Sequence, residues 1–279
     1  MNSHTQKQTS KQSNANSAPA RMMIDAVSVI RGNAKVLNNI SLELPAAQLI
    51  ALLGPNGAGK TSLLNCASAA IKLREGKVSL NGVDVQQLSV KQRAQQLAVL
   101  PQQSALNFPF LVKDVIALGR YPHDTGRVVD TAIANKLMQL LHIDNLADRT
   151  YVSLSGGEKQ RAQIARVISQ LICNEQLDVY DNSVLLLDEP LAALDMPHQS
   201  LLMELLQSLA QKGLTVVVVL HDLNLAAAYA DKIALLKAGG LIAFDTVDKV
   251  VTQAMIEQVY DIEVDVIKHP KTGRPLVLR

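Results

Sequence analysis

Tryptophan is absent from the chain, and five Tyr and three Phe are all the aromatic side chains in 279 residues. The core must therefore be aliphatic, and serial base-stacking platforms for nucleic acid have little to work with. Cysteine is scarce too. Cys66 and Cys173 form no disulfide framework and no metal-ligand spacing, which points to a reducing compartment. No apolar run approaches the roughly 18 residues of a membrane span, and the first residues carry no apolar signal core. These absences predict a soluble, cytosolic chain that reaches any membrane only through partners. Neither sign of charge is in excess: 27 Lys and Arg stand against 25 Asp and Glu. Lys7, Lys11 and Arg21 lie in the first 21 positions, which contain no acid. The remaining body is slightly acidic and is not a nucleic-acid binder held by bulk positive charge.

What is present has a clear order. Residues 1–21 are polar and low in complexity and are expected to be a disordered leader. Strand patterns follow at Ile24–Ile30, Val36–Leu44 and Leu49–Leu53, with a hairpin at Lys77–Leu80 closed by Asn81-Gly82. From about 90 to 172 the period changes. Ile133, Leu137, Leu140 and Leu141, then Ile164, Ala165, Ile168, Leu171 and Ile172, recur at helical spacing, so this stretch is expected to be a helical insertion. Val184–Leu187 and Thr215–Leu220 are apolar throughout, with an amphipathic helix through Leu201–Leu209 between them that stops near Gly213. Strand, helix and strand of this kind imply a parallel sheet covered on both faces. The tail from Ile233 is expected to hold short strands and one helix.

Three stretches carry chemistry. Gly54-Pro55-Asn56-Gly57-Ala58-Gly59-Lys60-Thr61 fits the phosphate-loop pattern G-x-x-x-x-G-K-[ST], between an apolar strand and a helix pattern. Glycines let backbone N–H groups curl around phosphate oxygens; Lys60 supplies positive charge and Thr61 a hydroxyl for Mg²⁺. Asp188 and Glu189 end the apolar run Val184–Leu187, the strand end where open α/β sheets bind ligands. There Asp188 suits a metal ion and Glu189 the activation of water. Leu154-Ser155-Gly156-Gly157-Glu158 has capping-box spacing, and its glycines leave a bare helix N-terminus suited to an anion.

Together these runs resemble the ATP-binding subunits of ABC transporters, and the resemblance covers nearly everything after residue 22. Leu154–Glu158 is similar to the superfamily signature, Gln102 to the Q-loop residue, Ala193-Leu194-Asp195 to the D-loop, and His221 to the switch histidine. The resemblance implies an α/β P-loop NTPase core of ABC ATPase type over 22–279, with an antiparallel β subdomain and the inserted α-helical subdomain. It also implies ATP and Mg²⁺ as cofactors, bound through Gly54–Ser62, with Thr61, Gln102 and Asp188 at the metal. Glu189, His221 and Gln102 would be catalytic. Ser155, Gly156, Gly157 and Glu158 would act in trans across a head-to-tail homodimer, with Asp195 between the subunits. The implied partners are two transmembrane permease subunits and, through them, a periplasmic substrate-binding protein, with no nucleic acid. The implied location is peripheral, at the cytoplasmic face of the bacterial inner membrane.

Within the family, Gly119–His123, His221–Ala226 and His269–Pro275 resemble importers of iron-siderophores, heme and cobalamin. Leu191–Gln199 and the extra length at Cys173–Ser183 resemble the heme importers, so hemin is favoured as cargo, with siderophore or cobalamin as alternatives. A soluble ABC ATPase acting away from membranes is disfavoured, because the chain has one module and no heptads. Phe108 and Phe110, two of the three Phe, cluster with Leu111 near Gln102, either as buried core or as anchors for a permease helix. The family often places an adenine-stacking aromatic near residues 30–31; here Ile30-Arg31 stand there, so Arg31 or an aliphatic contact is expected to replace the ring and relax base selectivity. Lys60-Thr61-Ser62 replaces the common Lys-Ser-Thr and keeps a hydroxyl for the metal.

Overall fold

The computed structural model describes residues 20–32, 34–102 and 106–278. Of the expected leader, only Ala20 and Arg21 fall within this range, and they open the first strand. The rest of that segment lies outside the described residues.

A six-stranded sheet forms the centre. Its strands are β3 (Leu49–Leu53), β6 (Leu97–Leu100), β7 (Val184–Leu187), β8 (Thr215–Val219), β9 (Lys232–Lys237) and β10 (Gly240–Thr246), in the spatial order β10-β9-β3-β8-β7-β6. All neighbours are parallel except β10, which returns antiparallel beside β9. Every residue of β3, β7 and β8 is buried. Alternation explains this. Leu49, Ala51, Leu53, Leu185, Leu187, Val216 and Val218 face one core; Ile50, Leu52, Val184, Leu186, Val217 and Val219 face the other. Period-two geometry sends successive side chains to opposite faces, so a strand covered on both sides must be apolar throughout.

The second face is roofed by an antiparallel sheet. Strands β1 (Ala20–Arg31), β2 (Ala34–Pro45), β4 (Glu75–Leu80) and β5 (Val83–Asp84) lie in the order β2-β1-β4-β5. Met22, Ile24, Leu42, Leu44 and Val78 project from it into the shared core. Helix α1 (Lys60–Ala67) lies in the same layer and buries Leu63, Leu64 and Cys66. Burial pushes the Cys66 thiol up to about 11, which marks it as packing.

The first face is covered by helices. The stretch 90–172 opens with α2 (Val90–Gln96) and then contributes β6 to the central sheet before α3 (Val112–Ala117), α4 (Arg127–Leu140) and α5 (Gly156–Ser169). Four residues between two helical patterns carry little local strand signal. Leu97–Leu100 become a strand by pairing in parallel with Val184–Leu187, far away in sequence. Helix α6 (Met196–Gln211) follows, and the chain turns at Gly213 with φ 105°. The tail contains α8 (Val247–Val250) and α9 (Gln253–Tyr260) rather than a single helix, because Thr252 accepts from Met255 N–H and starts a second one. A two-stranded hairpin, β11 (Asp265–Lys268) and β12 (Pro275–Leu278), ends the chain.

A buried arginine locks the helical layer. Arg120 donates through Nε to Asp130 Oδ1 at 2.8 Å and through Nη1 to the carbonyls of Ser169 at 2.5 Å and Ile172 at 2.6 Å. It therefore joins the start of α4 to the end of α5, where orphan carbonyls need donors. His123 stacks on Tyr180 with ring centroids 4.4 Å apart, tying in the 173–183 segment. Among the described residues no helix is long and apolar enough to cross a membrane.

Candidate functional site

The parallel strands β3, β6, β7 and β8 all deliver their carboxyl ends to one edge, and the loops that follow build a cavity of about 640 Å³. Val36, Asn56–Ser62, Gln102, Glu189 and His221 line it. The volume suits a nucleotide-sized ligand. It stands where an open α/β sheet binds one.

After β3 the chain turns through Gly54–Gly59 into α1. Gly59 caps that helix at φ 104°, and a Cβ there would lie 2.8 Å from Leu37 Cδ2 and 2.9 Å from Val36 O. Only glycine fits the conformation and the space. Ala58 N–H donates back to Pro55 O, and Gly239 N–H donates to Ala58 O, so the loop is fixed from inside and from the β9–β10 turn. Lys60 is buried and donates to Gly54 O at 2.8 Å and Pro55 O at 3.1 Å. Burial draws its ammonium below the ordinary lysine range, while the carboxylates of Glu189 and Asp188 pull it back. Thr61 and Ser62 open the first turn of α1 on the cavity wall.

β7 ends on Asp188 and Glu189. Asp188 N–H donates to Leu100 O at 2.9 Å, which registers the acid against β6. Its side chain is buried, and Oδ1 has no hydrogen-bond partner among the described residues. Burial raises its pKa above the ordinary carboxylate range; the nearby Thr61 hydroxyl and the charge of Lys60 act the other way. An orphaned buried oxygen beside a hydroxyl is an unfinished coordination shell in chemical terms. Glu189 sits at φ 51°, a left-handed conformation that costs a non-glycine residue roughly 1–3 kcal/mol and gathers at functional sites. Its carboxylate is bracketed: Oε1 is 2.8 Å from His221 Nε2, and Oε2 accepts from Gln102 Nε2 at 3.1 Å. Three distant stretches of sequence thus converge on one carboxylate at the cavity mouth.

The signature residues lie outside this cavity. Ser155 caps α5: its hydroxyl accepts from Glu158 N–H at 3.4 Å, and Glu158 Oε2 accepts from Ser155 N–H at 2.8 Å. Those hydrogen bonds hold the Glu158 carboxyl below its usual range. Ser155 and Gly156 are exposed, so the helix end is open to a ligand from outside. Gly157 is needed for close approach, since a Cβ there would lie 2.9 Å from Ala193 O. Asp195 caps α6 by accepting from His198 N–H at 3.2 Å, and its carboxylate also meets the His198 ring. Gln160 of α5 donates to Pro190 O at 2.9 Å, linking the signature helix to the loop after Glu189. One chain therefore completes the phosphate loop and its acids but leaves its signature outside the cavity they line.

An ABC transporter family model matches residues 37–192. The chain belongs to the ABC transporter family. It is 43% identical over 255 residues to the hemin import ATP-binding protein HmuV of Pseudomonas entomophila, covering 91% of this chain and 98% of that one. It is 40% identical to the protein of the same name from Pseudomonas aeruginosa, covering 92% and 99%. The Streptomyces coelicolor protein of that name is 41% identical, covering 88% and 85%. Among solved structures, an ATP-binding subunit of an ABC transporter superposes with TM-score 0.73 at 20% identity, covering 86% of this chain and 98% of the other. A dimeric ATP-binding cassette in a post-hydrolysis state with ADP and Pi gives 0.69 at 24% identity, covering 81% and 98%. The fold is that of an ABC ATPase, which binds and hydrolyses ATP.

Two features of this ABC ATPase were not legible beforehand. Val36 lines the cavity, while Ile30 is 65% exposed and neither it nor Arg31 reaches the lining. Val36 reaches the phosphate loop because β2 is tied to the β9–β10 turn, where Asn38 N–H donates to Gly239 O at 2.8 Å. Phe108 and Phe110 are 67% and 42% exposed, with ring centroids 6.1 Å apart. They are not core. An exposed aromatic pair suits an interface.

Proposed function

We propose that this ABC ATPase is the ATP-hydrolysing motor of a hemin importer, driving two separate permease chains from the cytoplasmic face of the bacterial inner membrane. The observation that carries the catalytic part is the carboxylate of Glu189, held between His221 and Gln102 at the mouth of the phosphate-loop cavity. The hemin assignment rests on 40–43% identity, over about nine-tenths of the chain, to proteins named as hemin import ATP-binding proteins.

In this reading Gly54–Ser62 wrap the phosphates of ATP, and Lys60 exchanges its two loop carbonyls for β- and γ-phosphate oxygens. The Asp188 carboxylate, with its orphaned Oδ1, and the hydroxyl of Thr61 form a hard-oxygen set that fits Mg²⁺. When bound there, Mg²⁺ neutralises phosphate charge as it develops. Gln102 donates to Glu189 through its amide nitrogen, which leaves its amide oxygen for the metal or its water. Glu189 takes a proton from the attacking water. His221, already hydrogen-bonding distance from Glu189, turns its ring N–H to the γ-phosphate. Val36 offers the base an aliphatic contact.

The exposed end of α5 supplies what one chain lacks. Ser155 accepts from Glu158 N–H and so keeps its hydroxyl proton for donation. With Gly156 and Gly157 it presents a helix N-terminus to the γ-phosphate held by a second copy. Such a sandwich is tight only while ATP is intact, so hydrolysis separates the subunits. Asp195 lies between the copies, and Phe108 and Phe110 receive a permease helix. A periplasmic substrate-binding protein delivers cargo to the permease.

Glu189→Gln tests the motor: it should abolish multiple-turnover hydrolysis and trap a dimer with ATP. Retained turnover would overturn the role given to Glu189. For cargo, a strain lacking this subunit should lose growth on heme as its iron source; loss confined to siderophore or cobalamin would move the assignment to that alternative.

A further inference from the structure

Two sequence stretches that mark the importer branch, only one of which touches the site through His221, meet each other in the fold. His221-Asp222-Leu223-Asn224-Leu225-Ala226 leads from β8 into α7 (Leu223–Tyr229), and His269–Pro275 leads from β11 into β12. Helix α7 packs against β12. We propose that Asn224 and Arg274 are positioning residues for ATP hydrolysis, through which the C-terminal hairpin holds α7 and so sets the place of His221.

The argument begins with the weakness of α7. Seven residues make fewer than two turns, too short to be helical without outside support. Asp222 supports the start: its Oδ1 accepts from Asn224 N–H at 2.8 Å and Leu225 N–H at 3.0 Å. The core buries Ala226 and Ala227, Gln207 Nε2 donates to Tyr229 O at 3.2 Å, and the hairpin adds the remaining hydrogen bonds. The Asn224 amide pairs with the backbone of Val277 as a strand would. Its Nδ2 donates to Val277 O at 3.0 Å, and its Oδ1 accepts from Val277 N–H at 2.7 Å. At the other end, Arg274 Nη1 donates to Ala227 O and Ala230 O, both at 3.0 Å. These are terminal carbonyls of α7, which have no partner within the helix and face a favourable cation there.

Arg274 is itself presented by a closed turn. His269 N–H donates to Arg274 O, and Gly273 N–H donates to His269 O, both at 2.8 Å. His269 Nδ1 also accepts from the N–H groups of Lys271 and Thr272. The turn is therefore stiff and fixes the guanidinium against α7. His221 lies one residue before the cap of this pinned helix, and its Nε2 must sit 2.8 Å from Glu189. Neither Asn224 nor Arg274 lines the nucleotide cavity, so their effect on the reaction passes through His221.

This inference rests on the role of His221 given above, and the test separates the two. In steady-state ATPase assays of the full-length protein, Arg274→Ala and Asn224→Ala should each lower kcat about tenfold, with KM for ATP little changed, as expected when geometry and not substrate affinity is lost. Arg274→Lys, which can still donate to the carbonyls, should recover much of the rate. In a His221→Ala background, Arg274→Ala should cost nothing further, because the group it positions is gone. Unchanged kcat in both single variants overturns the inference, as does an equal loss in both backgrounds. If His221→Ala alone leaves kcat intact, the role of His221 fails first and the inference falls with it. Should Arg274→Ala not fold, Arg274→Lys and Asn224→Ala carry the same comparison.

Discussion

Replacing Asp188 by Asn should stabilise the nucleotide-free protein while it stops hydrolysis. The carboxylate is 4% exposed, and one of its oxygens has no partner among the described residues. Burial penalises the charged form of this group, and Asn keeps its shape while removing the charge. The Thr61 hydroxyl and the charge of Lys60 offset part of that, so the variant should gain about 1 kcal/mol, or about 2–4 °C in melting temperature. The pH dependence follows from the sign of the shift. Burial first, then the charge of Glu189, raises the folded-state pKa of Asp188 above its ordinary 3.8. The folded protein therefore holds this proton more tightly than the unfolded chain does. The stability so contributed is complete below 3.8 and is lost as pH rises through the folded value. The advantage of the Asn variant should accordingly be small in acid, grow across that window and stay constant above it. Thermal unfolding with chelator, over a pH series, measures it; phosphate release measures the loss of turnover. A lower melting temperature for the variant at neutral pH, or a gap that does not change with pH, would refute the reasoning.

Other consequences are as direct. Arg120→Ala removes the donor shared by Asp130 and two carbonyls of the α5 end, and should cost about 3 kcal/mol, seen as a melting temperature lower by roughly 6–10 °C. Phe110→Asp alters an exposed ring and should leave isolated ATPase activity near normal while weakening co-purification with the permease by roughly 30-fold or more, the loss of about 2 kcal/mol at an interface anchor; unchanged co-purification would sink the docking role. With Val36 and no Phe, Tyr or Trp among the described residues that line the cavity, ATP and GTP should turn over at comparable kcat/KM in competition, and a strong adenine preference would count against that contact.

Much of the site is legible in sequence because its parts are local. A phosphate loop needs glycines at fixed offsets before a lysine and a hydroxyl, and those offsets survive in the string Gly54–Thr61. Buried strands also announce themselves, since Leu49–Leu53, Val184–Leu187 and Thr215–Val219 are covered on both faces and must be apolar at every position. Strand β6 was hidden because its four residues gain strand character only from β7. The branch-marking runs Gly119–His123 and His269–Pro275 could be noticed but not explained. Their physical roles, the clamp of Arg120 and the brace of Arg274, exist only between segments that are distant in the chain.

The scarcity of aromatics marks the same division. Composition by itself determined that the core is aliphatic and that a base has no tryptophan to stack on. It could not decide which few rings are buried, because exposure is a property of packing. Only the tertiary structure put Phe108 and Phe110 on the surface, brought Val36 to the nucleotide cavity in place of Ile30 and Arg31, and set Glu189 between Gln102 and His221. A sequence fixes which groups a protein owns; the distances over which hydrogen bonds and charges act are set when strands far apart in the chain pair and bring those groups within about 3 Å.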